Sequence, residues 1–450
     1  MMGRLLRLDF FEDEQGGGTV MGLMWFMLLV GICGMAVDST DGFRSKTMLQ
    51  ATADASALAA VIDLPDEAAA VATAVSYSVD NMGTNSYGEV LEPEDIQVGL
   101  WDPVTQTLDT GAALPDAVMV TTNRSSDNGN ALPTNFLRIA GFQTWNVSAQ
   151  AVAQRFIPKC LRDGLVARGE VDISSNNGFV NQICVHGQQG VAMQNHNSYE
   201  SGVTVSMPNP GTQLTIPDGG MESNPGLPAA LRANILDPRD VNHIDEIIAR
   251  LRDPSLDTGY VKVIPSYIDA SKPVIAADNK VDFTTLNYAE GAGRIYDIDC
   301  RGKPTVSTPG GITLSNVVIV MECSLIISPD TTLNNVVLAS YRVGNGQNPL
   351  DLANISVAAG VQLGTPDNCQ PGGGVQIFST ASVKIASSAT INGLQIVAAG
   401  DIELGAQDYG INGISAQAGG DITLTSNNAF GLCSGGAPDT FLVPYYRLVL

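Results

Sequence analysis

Basic residues are scarce in this 450-residue chain: 23 Lys and Arg stand against 46 Asp and Glu, for a formal net charge of −23. A surface so acidic supplies no footprint for a polyphosphate, so nucleic acid is excluded as a partner. There are only three histidines, His186, His196 and His243. The Cys184–His186–His196 spacing fits no established ligand pattern, and Cys184 has a better use in a disulfide, so no metal is expected. There is no G-x-S-x-G, no P-loop, no Rossmann glycine fingerprint and no paired C-x-x-C. No catalytic or cofactor-binding residue, and no cofactor, is therefore assigned, and the chain is not expected to be an enzyme.

Cysteine is absent between Cys33 and Cys160. The six later ones (Cys160, Cys184, Cys300, Cys323, Cys369, Cys433) all follow residue 157. Six thiols admit fifteen pairings, and proximity suggests Cys160 with Cys184, Cys300 with Cys323 and Cys369 with Cys433. Structural disulfides need an oxidising compartment, which puts the C-terminal portion outside the cytosol.

Charge is also absent from Gln15 to Val37. As a helix this run covers about 34 Å, enough to cross the hydrocarbon core. A cleavable signal peptide fits less well, because the apolar region is long, acidic residues precede it and no A-x-A site follows. The basic residues flanking the run, Arg4 and Arg7 before it and Arg44 and Lys46 after it, balance, so the late cysteines decide the orientation. Residues 1–14 are then a cytoplasmic leader, 15–37 a transmembrane helix, and Cys33 a small apolar residue in lipid or at a helix contact. An Ala-rich stretch continues the helix outward with small residues on one face. Pro65 ends it or opens a second helix through Pro65-Asp66-Glu67, running to about Asn81.

The short leader, the apolar span, A-V-D at Ala36-Val37-Asp38 and L-Q-A-x-A-D-A-x-A-L-A-A at Leu49–Ala60 resemble the TadE/TadG group of the tight-adherence (Tad, Flp) pilus machinery, TadG more closely. A weaker likeness continues through 98–108, 117–124 and 136–153, read as two strands, a short helical or turn element and a strand. The resemblance implies an inner-membrane protein with its C-terminal portion in the periplasm, working with other pilus-assembly proteins of the cell envelope. Many TadG-like proteins carry a metal-binding D-x-S-x-S. The nearest string here, Asp172-Ile173-Ser174-Ser175-Asn176, has the wrong last residue. No glutamate follows Gly16, Gly17 or Gly18 at the spacing of a prepilin cleavage motif.

Beyond a boundary near Ile157-Pro158 the chain repeats. INGLQIVAAGDIEL (391–404) and INGISAQAGGDITL (411–424) are one pattern displaced by 20 residues. Ile391 aligns with Ile411, Leu394 with Ile414, Ile402 with Ile422 and Leu404 with Leu424. Residues 314–321 and 333–340 match at an offset of 19, pairing Leu314 with Leu333, Val317 with Val336 and Ile319 with Leu338. Apolar residues alternate within each copy, so strands are nested in a repeat too short to bury its own core. The expected fold is mainly β: a parallel β-solenoid (β-helix) over 158–450, behind a helical stalk and small α+β segment over 38–157. Residues 209–300 interrupt the pattern as an insertion, with a helix at 240–253 that packs on or caps the solenoid. Asn335 and Asn392 are placed at bends. The tail 438–450 is expected along the solenoid.

Solenoids also bind or cleave polysaccharides. Asp401, Glu403 and Asp421 fall on outward strand faces, where Asp401 and Asp421 would stack and repel or share a cation. No Lys or Arg lies between 385 and 446 to assist them. A spacer or docking surface in a Tad system is the leading expectation, and a glycan-binding or glycan-cleaving solenoid the alternative.

Overall fold

The fold is that of a computed structural model and is described for residues 16–257, 262–286, 293–341, 354–367, 370, 372–407, 410–431 and 441–450. The chain forms two compact units: residues 1–156 with 444–450, and residues 157–443. The second unit is thus inserted into the first, and the chain crosses between them twice.

In the first unit a single helix, α1 (Gly16–Ala60), carries the apolar run straight into the Ala-rich stretch without a break. Its apolar first half is exposed, long and apolar enough to cross a membrane. In its second half Leu49, Ala53, Ala57 and Ala60 are fully buried. These positions recur every three or four residues, so they share one face. Helix α2 (Glu67–Asn81) presents Ala70, Ala74 and Ser78 in the same way. The Asp66 carboxylate caps α2 by accepting the Ala69 N–H at 3.0 Å. Small side chains let both helices lie close to an antiparallel sheet built from Ile96–Asp102, Thr107–Asp109, Ala117–Arg124, Val147–Phe156 and Tyr445–Leu448. The Leu-Gln of the L-Q-A motif does the fastening. Gln50 donates to Asp54 at 2.8 Å and to the Gln150 carbonyl at 2.9 Å, and the Thr122 hydroxyl donates to the Leu49 carbonyl at 3.0 Å.

The tail differs from expectation. Tyr445–Leu448 leaves the solenoid and pairs antiparallel with Val147–Phe156, setting Tyr445 opposite Phe156. An edge strand of the first unit offered unpaired N–H and C=O groups, and the tail satisfies them.

The second unit is a parallel β-solenoid. Strand register reproduces the sequence repeat: Ile391↔Ile411, Leu394↔Ile414, Ile402↔Ile422 and Leu404↔Leu424 in one pair of rungs. Leu314↔Leu333, Val317↔Val336 and Ile319↔Leu338 match in another. Every rung but the two at the ends supplies a strand to a fifteen-stranded and to a nine-stranded sheet. One continuous aliphatic core runs inside, from Leu165 to Phe430. At the bends Asn316, Asn335 and Gly393 take positive φ. Asn392 keeps an ordinary φ because the following glycine takes the left-handed position at lower steric cost.

Rung order is not chain order. Along the main sheet the strands run 231–233, 204–207, 184–187, 164–167, 411–418, 390–398, 362–363 with 375–379, 332–340, 313–321, 294–299 and 275–278. The chain enters at a middle rung and climbs to one end by residue 233. It then returns to the far end at 275 and climbs back until 411–431 stacks beneath 164–179. The solenoid is therefore circularly permuted about its own middle. Ten inter-strand steps give a height of about 48 Å.

This order revises the reading of 209–300. Leu214–Thr215 and Leu231–Ala233 are rungs at one end, and Ile275–Asp278 and Arg294–Asp299 are rungs at the other. Only the stretch between them is a connection. Its helix α3 (Ile244–Arg252) does not cap an end: Ile244, Ile247, Ile248 and Leu251 pack on the outer face against Val318, Val320, Val337, Phe378 and Val397. These strand residues point away from the core and need a cover, which the return segment provides. Leu227 and Ala230 close the core at one end of the stack, and Phe283 and Leu286 at the other.

Candidate functional site

The outward acids Asp401 and Asp421 belong to a ladder of side chains at one corner of the solenoid. Asn354 N–H donates to Ser324 Oγ (3.1 Å), Ser382 N–H to Asn354 Oδ1 (3.0 Å) and Asp401 N–H to Ser382 Oγ (3.0 Å). The series continues as Asp421 N–H donates to Asp401 Oδ1 (2.9 Å) and Glu170 N–H to Asp421 Oδ1 (2.8 Å). In both acids one carboxylate oxygen is thus engaged by backbone. Each accepts a corner N–H that the strand ladders leave over. Glu403 pairs instead with Lys384 at 2.7 Å, a cation one rung earlier and just outside the Lys-free stretch.

A second corner runs the opposite way. Gln407 N–H donates to Asn428 Oδ1 (3.0 Å), Asn428 N–H to Asn177 Oδ1 (2.9 Å), Asn177 N–H to Asn197 Oδ1 (2.9 Å) and Asn197 N–H to Asn224 Oδ1 (2.8 Å). All four asparagines are buried, and each amide also donates to a carbonyl three or four residues earlier. Beside them Phe430, Phe179 and Tyr199 stack face to face at centroid distances of 4.9 and 5.0 Å. Sequence reasoning missed both ladders, although ISSNNGF (173–179) and LTSNNAF (424–430) carry the signal.

The most perturbed acid is Asp240, at the start of the return segment and fully buried. Burial pushes its carboxyl up to about 6, against the N–H of Val443, the Gln417 amide and nearby His243, which favour the charged form. Val443 N–H donates to Oδ1 at 2.6 Å and the Gln417 amide donates to Oδ2. One rung away Gln395 reads both backbone groups of Phe441, accepting its N–H at 2.8 Å and donating to its carbonyl. Gln376 donates to Gln395 at 2.9 Å. A row of glutamines on the outer sheet face therefore holds the exit segment 441–443, and Asp240 ties it to the return segment.

Two further clusters involve titratable groups. Asp299 and Glu322 share a hydrogen bond. Burial and then Asp299 push Glu322 up, while the Arg301 N–H and then Glu322 hold Asp299 down. Hydrogen-bonded carboxyls lie closer than the separations glycosidases use, about 5 Å or more. Arg252 pairs with Asp297 at 2.9 Å and covers the Tyr341 ring at 4.5 Å. His186 is fully buried between Ser206 Oγ (2.9 Å) and Gln188 Oε1 (3.1 Å), and burial lowers its pKa.

Cys184, His186 and His196 do not converge on a metal site, and Cys184 is bonded to Cys160. Cys300 is bonded to Cys323, tying neighbouring rungs. The pair Cys369 and Cys433 lies outside the described residues. Asp172 sits outward in a strand, Ile173 points into the core and Asn176 turns a corner. Among the described residues no group of three or more His, Cys, Asp or Glu could hold a metal ion.

These features define a class: a parallel β-solenoid inserted into a small helix-and-sheet unit that begins with one long apolar helix. The chain belongs to the family described as a domain of unknown function, DUF7867, which matches residues 164–434, more than half its length. Its N-terminal part is of the Tad/Flp pilus-assembly family: a putative Flp pilus-assembly TadE/G-like model matches 16–75 and a putative Tad-like Flp pilus-assembly model matches 47–153. No curated protein and no solved structure matches the chain.

Proposed function

We propose that this protein is a structural component of a Tad-type pilus-assembly apparatus and not an enzyme. Helix α1 anchors it in the inner membrane, and the solenoid stands in the periplasm as a rigid spacer or docking surface for other assembly proteins. The observation that carries the reading is the match of two Tad pilus-assembly families to the helix and sheet of the first unit. The disulfides Cys160–Cys184 and Cys300–Cys323 favour an oxidising compartment for the second unit. Rung stacking, corner ladders and a covered flank make the solenoid stiff, as a spacer requires.

Deleting the gene and counting surface pili tests the assignment, and unchanged piliation would remove it. A finer variant separates anchor from spacer. Because Phe156 and Tyr445 are paired partners, residues 157–444 can be replaced by an Asn-Gly turn joining the two strands. The shortened protein is expected in the membrane fraction without supporting pili. Full piliation by it would refute the spacer role while leaving the family assignment intact.

A further inference from the structure

The segment Phe136-Leu137-Arg138-Ile139-Ala140-Gly141-Phe142 leaves large apolar side chains uncovered. Ile139 is 84% exposed, Phe142 61% and Phe136 42%, with Arg138 exposed between them. Isolated exposed apolar residues need no explanation, but three within seven residues of one short turn do.

Their position along α1 supplies it. Phe136 lies against Gly34, inside the uncharged run, where an added Cβ would meet the Phe136 side chain at 2.6–2.7 Å. Asp38, one turn further on, is the first charge after that run. It accepts the N–H groups of Asn135 (2.7 Å), Phe136 (3.0 Å) and Leu137 (2.6 Å), and Asp41 accepts from Asn135 Nδ2 at 2.9 Å. The loop is further closed by Thr134, whose hydroxyl donates to the Phe142 carbonyl at 2.5 Å. The turn is therefore clamped to the helix at the level where the apolar run ends. Gly34 precedes Asp38 by four residues, about 6 Å along the axis, within the depth to which interfacial apolar faces sink, about 5–10 Å. Beyond Asp38, Trp145 packs on Gly42 beside Phe43 and Lys46. An aromatic and a lysine at that height suit the headgroup region, as does Arg138, whose stem can carry its charge outward.

We propose that residues 136–142 are a second membrane contact, dipping Phe136, Ile139 and Phe142 into the leaflet from which α1 emerges. The occupant of this apolar face is lipid. The inference rests on α1 crossing the bilayer, and it adds that the first unit is held at the surface at two points, fixing its tilt.

The test places an environment-sensitive fluorescent amino acid, by codon suppression, singly at Ile139, Phe142, Leu29 and Val104 of the full chain in phosphatidylcholine–phosphatidylglycerol vesicles. Leu29 lies in the middle of the apolar run, and Val104 is an exposed turn residue of the same unit. Probes at 139 and 142 are expected to emit to the blue of 104 and to be quenched several-fold more by acyl-chain nitroxide lipids. Water-like emission at both, with position 29 shielded, overturns the proposal and leaves the anchor standing. Water-like emission at 29 as well overturns both. Blue emission at 139 and 142 without lipid quenching also overturns it, since a protein surface would then be the cover.

Discussion

Asn428 donates its backbone N–H to the side-chain oxygen of Asn177 at 2.9 Å, across 251 positions of sequence. The bond marks the seam where the last described rung of the solenoid stacks beneath the first. The same seam carries the Phe430–Phe179 stack and the strand pairs Ile422↔Val171 and Leu424↔Ile173.

The permuted order is directly testable. Thr423 and Asp172 are register partners on adjacent parallel strands, both away from the core. The double variant Asp172→Cys with Thr423→Cys is expected to form a disulfide, visible by peptide mapping, since paired strands sit about 4.8 Å apart. Rungs stacked in chain order would separate these residues by most of the solenoid, and no bond would form.

Asn177→Ala should cost about 1–3 kcal/mol through the orphaned Asn428 N–H, plus the lost bond to the Ser174 carbonyl. Denaturant unfolding reads this as a lower midpoint at unchanged slope. Asn177→Asp keeps the acceptor but sets a buried carboxylate against the Ser174 carbonyl, so it should cost at least as much at neutral pH.

Asp240 makes stability depend on pH in a stated direction. Its carboxyl titrates at about 6 in the folded protein, against an ordinary value of 3.8. A raised folded pKa means the native state holds the proton longer, so this contribution is complete below about pH 4 and is lost as pH rises through 6. The span corresponds to roughly 3 kcal/mol. Carboxyls held low, such as Asp269 and Asp282, act oppositely as pH falls. The difference between wild type and Asp240→Asn therefore isolates the effect. A difference that does not vary between about pH 4 and 7 would reject it.

Ion pairs should separate by burial. Arg250 and Asp257 meet at 3.1 Å with both side chains nearly covered. Removing either leaves a buried charge, at a cost of about 3–5 kcal/mol. Lys384 and Glu403 meet at 2.7 Å in the open. Lys384→Ala should change stability by less than about 1 kcal/mol. Thermal unfolding of Arg250→Ala and Lys384→Ala compares them side by side.

Much of the fold was legible because its signals are local. A charge-free run, Ala spacing along α1 and α2, and a repeat of 19–20 residues each act within a few turns or one rung. Register followed directly, since a one-residue slip would turn Leu394 and Ile396 outward. The site was less legible. Asp401 and Asp421 look like surface acids until the corner N–H groups of the next rung are in place. Lys384 looks unrelated to Glu403 until rungs are stacked.

By itself the sequence determined that there is one long apolar helix, that the rungs exist, and which side chain of each faces inward, because periodicity acts on neighbours. Only the tertiary structure decided the order of the rungs, the passage of α3 along the flank and the return of Tyr445–Leu448 to the first unit. All rungs share nearly one template, so their local patterns are degenerate. Which rung meets which is chosen by long-range pairs such as Asn428 with Asn177, and by outer faces such as that of Val318 and Val337 that need a cover.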